Sequence, residues 1–142
     1  MSIDINTLKT AVYSKLNDSN ITDLVTGVYH LRAPQGTSFP YILYWIVTGS
    51  NMDTFTDFGD SVLVQIDVYC QNTDKNGNPV SGAQHCGVIT KAVTQVMDEA
   101  SLGAGAYFCQ RLGPPRDLYE DDTDTFHQVL EYQIMISTAK II

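Results

Sequence analysis

A run of nine residues without a charge, FPYILYWIV at positions 39–47, constrains the fold more than any other part of the sequence. It contains the single tryptophan of the chain, Trp45. The run is too short to cross a bilayer as a helix, which takes roughly 20 apolar residues. Its β-branched and aromatic residues, which follow Pro40, instead predict a β-strand. Because both faces of this strand are apolar, we expect helices to cover one face and another chain to cover the other.

A second strand is predicted at SVLVQIDVYC, residues 61–70. Its side chains alternate between two faces, of which one is mixed and the other is fully apolar. The apolar face comprises Val62, Val64, Ile66, Val68 and Cys70. The residues between the two strands, TGSNMDTFTDFGD (48–60), are predicted to form a long loop, because a hairpin needs only about two to five residues.

Helical spacing of apolar residues predicts two main helices, at residues 5–17 and 81–99. Residues 116–125 are predicted to be an acidic connection. Further strands are predicted at 27–31, 106–112 and 126–137. The resulting order, α-β-β-β-α-β-β, does not place a helix between each pair of strands. We therefore predict one domain, residues 1–142, with an α+β fold: a mainly antiparallel sheet of four to five strands with the two main helices on one face.

The balance of charge excludes several classes of function. Eight basic residues against 16 acidic residues give a formal net charge of −8, and the basic residues are scattered. We expect such a chain to repel nucleic acid and anionic membrane surfaces. The start, MSIDINTLKT, does not have the pattern of a secretory signal, and no segment is apolar enough to span a membrane. Three widely spaced cysteines indicate free thiols and synthesis in a reducing cytoplasm: Cys70, Cys86 and Cys109.

Motifs of catalysis are missing from the sequence. The histidines, His30, His85 and His127, show no local signature of a nucleophile with its base. The glycines do not follow the spacing of a nucleophile elbow, a P-loop or a dinucleotide-binding turn. We therefore predict that the protein is not an enzyme and has no cofactor.

Three segments have some features of a metal site. His85 and Cys86 could join another cysteine around zinc, but the spacing typical of zinc ligands is missing. Residues 72–77 resemble the start of a calcium loop, but Ala83 occupies the position where a bidentate carboxylate is needed. A cluster of acids could hold a divalent ion, although a solvated acidic loop explains it more simply: Glu120, Asp121, Asp122 and Asp124. We predict no metal site.

Four stretches occur in a recognisable order. They are FPYILYW, VLVQIDVYC, the helix AQHCGVITKAVTQVMD, and the strand pair around an acidic linker, RDLYEDDTDTFHQVLEYQIMIS. In this order they resemble the tail completion proteins of long-tailed bacteriophages, also called tail terminator or tail-to-head joining proteins. The resemblance covers nearly the whole chain, and its most specific parts are PY, Q-I-D-V-Y and the D-T-x-H-Q…Y-x-I end. The loop at 71–80 departs from it, because the loop is longer and more polar than expected.

This resemblance implies a virion protein at the junction of tail and head, made in the cytoplasm of the host bacterium. Such subunits close into a ring, usually a hexamer, which caps the finished tail tube and meets the head connector or head completion protein. DNA passes through the ring during ejection. The implied partners are therefore further copies of the chain, the tail tube protein and the head connector. The acidic net charge agrees with passage of DNA without tight nucleic-acid binding, because no phosphates would be neutralised.

The segment 48–60 carries residues that we expect to contact partners. Met52, Phe55 and Phe58 lie there between aspartates, and aromatic and methionine side chains are enriched at interface centres. We predict that the segment is an assembly arm that reaches a neighbouring subunit or the adjoining tail tube ring. The alternative is that both phenylalanines fold back onto their own sheet. Tyr44 and Trp45 of the apolar strand are further candidates for the subunit interface.

Two other functions are compatible with the sequence. The first is a host-encoded module that binds a small molecule in a pocket between helix and sheet. The second is a neighbouring head-tail connector or a minor tail protein. Oligomeric state distinguishes the first from a ring subunit, whereas the order of neighbouring genes distinguishes the second.

Overall fold

The computed structural model describes residues 5–98, 100–103 and 106–139. The helices are α1 (Ile5–Leu16), α2 (Ser19–Thr22) and α3 (Gly82–Met97). The strands are β1 (Val28–His30), β2 (Tyr41–Asn51), β3 (Asp57–Cys70), β4 (Ala106–Arg111), β5 (Arg116–Glu120) and β6 (Thr125–Ala139). Along the chain the order is α1-α2-β1-β2-β3-α3-β4-β5-β6. The predicted α+β class is confirmed.

Within the described residues the sheet is mixed and has six strands, not the predicted four to five. Its order is β1-β2-β3-β6-β4, and β5 also pairs with β6. Strands β4 and β5 lie end to end along one edge of β6, at residues 132–136 and 125–129 respectively. The pair β1–β2 is parallel and the other pairs are antiparallel. The prediction therefore holds for most of the sheet but not for its β1 edge.

Two elements differ from the predicted order for physical reasons. Strand β5 lies in the segment 116–125 that was predicted to be a connection, and all five of its residues are exposed. It has no apolar periodicity, so its register with β6 alone defines it as a strand. The short helix α2 begins after Asp18, whose side chain accepts a hydrogen bond from the N–H of Asn20 at 2.9 Å. Such capping stabilises even a single turn.

The predicted long loop at 48–60 is wrong, because strands β2 and β3 form a longer hairpin. Residues Thr48–Asn51 pair with Leu63–Asp60 beyond a bulge near Ile46, which leaves residues 52–56 as the turn. We call residues 52–56 the hairpin tip. The polar start of β3 is extended because it pairs with β2 on one side and with the end of β6 on the other. The hairpin therefore ends beside Ala139, the last residue of β6.

One face of the sheet carries the core. Helix α1 contributes a buried stripe of Leu8, Val12 and Leu16, as its helical spacing predicted. Helix α3 contributes Cys86, Ile89, Val93 and Met97. These side chains form one cluster with the inward-facing residues of the long strands, which include Ile42, Tyr44, Val64, Ile66, Tyr132 and Ile134.

The opposite face of the sheet, which we call the outer face, lies away from this cluster. Because neighbours along a strand alternate, Tyr41, Leu43 and Trp45 of β2 project there. The buried apolar side chains of the described helices belong to the core cluster, so none of them covers the outer face. The two-sided apolar strand predicted from the sequence is thus covered by helices on one face only.

Candidate assembly surfaces

The hairpin tip holds a phenylalanine in open solvent. Phe55 is 93% exposed, and Met52 is 44% exposed. The backbone around them is fixed by a hydrogen bond from the N–H of Met52 to the Gly59 carbonyl (2.7 Å) and by another from Thr54 to Asp57 (2.9 Å). The Asp53 side chain also accepts a hydrogen bond from the N–H of Gly59 at 2.9 Å. The tip is therefore a built turn that presents an apolar ring to the exterior.

Gly59 is required for this turn. A Cβ atom added at Gly59 would lie 2.8 Å from the carbonyl oxygen of Met52, which is closer than side-chain carbons approach. Phe58, beside it, is only partly exposed. The predicted arm residues are thus in three environments: Phe55 is free of its own sheet, Met52 is half-exposed, and Phe58 lies against the subunit.

Tyr44 and Trp45 lie on opposite faces of the sheet. Tyr44 is 6% exposed and packs in the core, with ring centroids 6.4 Å from Tyr13 and 5.3 Å from His30. Trp45 is half-buried on the outer face. Their role at a subunit interface stays a prediction, which Trp45 can fulfil directly and Tyr44 only by supporting strand β2.

A row of rings crosses the outer face. Phe39 lies 5.0 Å from Tyr41, Tyr41 stacks on Tyr69 at 5.3 Å, and Tyr69 stacks on His127 at 4.1 Å between ring centroids. Burial, with the nearby Asp67 carboxylate, raises the pKa of Tyr69 to about 12. Burial and Glu120 raise the pKa of Tyr41 as well. Both phenols are neutral at physiological pH, as ordinary tyrosines are, and the raised pKa values reflect how far the rings are buried.

Asp67 is buried beneath this row. It is 0% exposed and accepts hydrogen bonds from the side-chain amide of Gln65 at 3.1 and 3.3 Å. Nε2 of His127 lies 3.0 Å from Oδ1 of Asp67, although the approach is not aligned for a hydrogen bond. No local sequence motif predicts this contact. The signal in the sequence is Asp67 itself, an acid in the middle of an apolar strand. Its partner is identified only by the register of β3 with β6.

Exposed apolar side chains extend the outer face toward β4 and β5. Phe108 is 37% exposed and pairs with Met135, and Leu118 is 49% exposed and pairs with His127. Leu112, which is 48% exposed, lies beside Leu63 at the edge. Exposed apolar side chains on an otherwise structured face are candidates for interaction sites.

The acidic residues form a tight β5–β6 turn. Glu120 ends β5, and Asp121 to Asp124 make the turn. Asp124 accepts hydrogen bonds from the Tyr119 hydroxyl (2.6 Å) and from the Asn72 side chain (3.0 Å). The turn thereby ties down the loop at 71–80. In that loop, hydrogen bonds from the N–H groups of Asn78 and Asn76 lower the pKa of Asp74.

The three thiols are buried and unoxidised. Hydrogen bonding to Cys86, together with burial, raises the pKa of the Cys70 thiol. Cys109 donates to the Met97 carbonyl at 3.3 Å, and burial raises its pKa to about 11. Among the described residues, no three His, Cys, Asp or Glu side chains come together as metal ligands would. No described helix is long and apolar enough to span a membrane.

Comparison with known proteins agrees with this arrangement. The family model described as "Tail completion protein gp17" matches residues 10–137. The chain belongs to the tail completion protein family. It is therefore a structural protein of a bacteriophage-type tail, as the resemblance implied. No curated protein matches the sequence significantly.

A solved structure shares the fold of this tail completion protein. It is a chain of the "Virion of native gene transfer agent (GTA) particle", with a TM-score of 0.73 and 18% sequence identity. The match covers 92% of this chain and 95% of the other. At this identity the likeness concerns the fold, which is thus one that occurs in a phage-like virion.

Proposed function

We propose that this chain forms a ring, of six copies, that terminates the tail tube and joins it to the head connector or head completion protein. Its place is the tail-head junction of the virion, after synthesis in the host cytoplasm. Membership of the tail completion family supports a role at the last step of tail assembly. The family also argues against a small-molecule binding module. As a ring subunit, the protein acts by contact and carries out no reaction.

The observation that best supports ring formation is the uncovered outer face of the sheet. This face carries the row of aromatic side chains formed by Tyr41, Tyr69 and His127, and exposed Phe108 and Leu118 flank the row. Such a surface is unusual for a protein that acts alone. Packing against neighbouring copies would remove this surface from water. Identical subunits related by rotation close into a ring when the rotation is a simple fraction of a turn.

The net charge supports passage of DNA through such a ring. A formal charge of −8 on each copy would make the assembled ring strongly acidic. DNA is held mainly by cations that neutralise its phosphates, so an acidic channel lets it move without sticking. The ring therefore lets DNA pass through and joins the tail tube on one side to the head connector on the other.

Electron microscopy of particles made without the protein tests this proposal. A phage that lacks the gene should produce tails of irregular length that do not join to heads, and a plasmid copy should restore both properties. Tails of normal, regulated length in the absence of the protein would rule out the terminator role. Light scattering of the purified protein adds the stoichiometry, although a ring that forms only on the tube would appear as a monomer there.

A further inference from the structure

A polar cleft runs between helix α3 and the β5 edge of the sheet. Its volume is about 410 Å³, which is sufficient for an aromatic side chain with its neighbours. The residues that line it include Gly87, Thr90, Lys91, Arg111, Asp117 and Gln128. We call it the α3 cleft. It holds two of the eight basic residues of the chain, Lys91 and Arg111, together with the carboxylate of Asp117.

Thr90 indicates that the α3 cleft has an occupant. This side chain is 3% exposed, and its hydroxyl has no hydrogen-bond partner among the described residues. Buried hydroxyls in folded proteins are nearly always paired with protein or ordered water, so an unpaired one at a cleft is a point where a partner can supply the acceptor. Gly87 leaves the adjacent stretch of helix bare, because a Cβ atom there would meet nothing within 4 Å. A partner can therefore reach the helix surface.

The basic residues of the α3 cleft are not equivalent. Nε of Arg111 lies 3.2 Å from Oδ1 of Asp98, and its Nη1 donates to the Gly113 carbonyl at 3.1 Å. Arg111 is thus held as part of the wall. Asp117, the only carboxylate among the described residues that line the cleft, accepts a hydrogen bond from Gln128 at 3.0 Å. Lys91, which is exposed on α3, remains as the flexible cation that can meet an incoming acid.

The hairpin tip has the complementary chemistry. It presents Phe55, which is 93% exposed, between Asp53 and Asp57, and residues 51–60 contain no basic side chain. Moving an exposed phenyl ring from water into a cleft lowers the free energy of the system. The flanking acids match Lys91 in charge, and a carboxylate oxygen can accept a hydrogen bond from the orphan hydroxyl of Thr90.

The tip cannot reach the α3 cleft of its own chain. Asp57 pairs with Ala139 at one end of β6, whereas Gln128, which lines the cleft, is near the other end. Eleven residues of extended strand separate these two positions, a distance of about 35 Å at roughly 3.3 Å per residue. A contact between the two surfaces must therefore join different copies of the chain.

We propose that the hairpin tip of each copy docks into the α3 cleft of the next copy, with Phe55 beside Gly87 and an acid of the tip on Lys91 and Thr90. The contact joins two different surfaces, so it is head-to-tail and repeats from copy to copy. This inference rests on the proposed function, and the contact would be the specific bond between subunits of the ring. A tip that instead contacts the tail tube protein is the alternative that the experiment must separate.

Zero-length cross-linking of unaltered protein in assembled tails tests the contact without any substitution. A carbodiimide should link Asp53 or Asp57 to Lys91, and mass spectrometry of rings assembled from ¹⁴N- and ¹⁵N-labelled copies should show links between copies. Lys9 and Lys15 on α1 serve as internal controls. Absence of the link to Lys91, or linkage of the tip mainly to the tail tube protein, would overturn the proposal.

Paired cysteine variants provide a second measurement. A Phe55→Cys copy mixed with a Gly87→Cys copy should form a disulfide-linked dimer in assembled tails, because the native thiols are buried. The matched control is Val88→Cys, one residue away on an exposed face of α3 that does not line the cleft. We expect at least about tenfold less cross-linking to position 88. Equal yields at positions 87 and 88 would contradict docking in the cleft.

Failure of this inference is distinguishable from failure of the proposed function. If deletion of the gene stops tail termination but no tip-to-cleft link forms, the ring exists with another bond between its subunits. If deletion leaves tail length and joining normal, the proposed function itself is wrong, whatever cross-links are found.

Discussion

His127 lies beside Asp67 on the outer face of the sheet, and its Nε2 atom is 3.0 Å from the Oδ1 atom of the carboxylate. The side chain of Asp67 is fully buried, whereas that of His127 is 11% exposed. Tyr69 stacks on the imidazole and covers the pair. A neighbouring subunit on this face would complete the exclusion of water. Polar contacts are therefore built into a surface that is otherwise aromatic.

Asp67→Ala should destabilise the isolated subunit. The change leaves the Gln65 amide without its acceptor and removes the carboxylate beside the His127 ring, which we expect to lower the free energy of unfolding by about 2 kcal/mol. Asp67→Asn should cost less, because an amide oxygen can still accept from Gln65. Urea denaturation of both variants measures the difference. If the alanine variant is as stable as the wild type, the free-energy cost of burying the Asp67 carboxylate equals the stabilisation from its contacts, and the prediction is wrong.

Tyr69 should make the fold sensitive to alkali. Its pKa is about 12 in the folded protein and near 10 for an ordinary tyrosine, so the unfolded chain releases this proton first. Stability is then fully present below pH 10 and falls as pH rises toward 12. Tyr69→Phe should show a shallower decline than the wild type in urea midpoints measured from pH 9 to 12. Tyr13→Phe, with an exposed ring, is the control, and parallel curves for wild type and Tyr69→Phe would contradict the assignment.

The thiols should be structural. Cys86 donates to the Val68 carbonyl at 3.5 Å and Cys109 to that of Met97 at 3.3 Å, both inside the core. Replacing either by alanine removes a small apolar group, which we expect to cost about 1 kcal/mol in the free energy of unfolding. Elemental analysis of the purified protein should find no stoichiometric zinc. Tightly bound zinc, lost in both variants, would require a metal site instead.

Apolar periodicity was sufficient to predict the main elements of the fold. Helices α1 and α3 and the buried parts of β2, β3 and β6 have side chains whose spacing specifies both the element and its inward face. Strand β5 and the polar start of β3 have no such pattern. They are extended because a neighbouring strand supplies hydrogen bonds, and that neighbour is distant in sequence.

The candidate surfaces were predictable only in part. The chemistry of Phe55 among acids indicated an exposed ring, as the structure shows. Strand alternation alone places Tyr44 and Trp45 on opposite faces, so a single interface could not use both rings directly. The α3 cleft and the contact of His127 with Asp67 depend on how separate elements pack. No local pattern encodes such packing.

Duplex DNA should not bind tightly to the protein. The eight basic residues are scattered over a chain of net charge −8, and Arg111 and Arg116 are each engaged by a carboxylate. Few cations are left to release counterions from DNA, so affinity should stay weaker than micromolar even at low salt. A gel shift at about 50 mM salt measures this. Sub-micromolar binding that weakens steeply with added salt would refute the charge argument.

Substitutions of the two phenylalanines of the hairpin should affect stability and assembly separately. Phe55 is exposed, so Phe55→Ser should change the free energy of unfolding by less than about 0.5 kcal/mol while joining of heads to tails fails. Phe58 is partly buried, so Phe58→Ser should lower the melting temperature by roughly 4 °C. Differential scanning fluorimetry and a head-tail joining assay on the same preparations measure the two effects.

The Phe55→Ser, Phe58→Ser double variant should combine the thermal defect of Phe58→Ser with the joining defect of Phe55→Ser. Val88→Ser is the matched control, because it removes an apolar side chain that is 53% exposed on helix α3. It should leave both stability and joining unchanged, so a joining defect specific to Phe55 cannot result from a general loss of surface hydrophobicity. If Phe55→Ser alone lowers the melting temperature by several degrees, its ring belongs to the subunit's own core in solution. If Phe55→Ser joins heads to tails normally, the hairpin tip is not an assembly contact, and the outer face of the sheet must supply the bond between subunits.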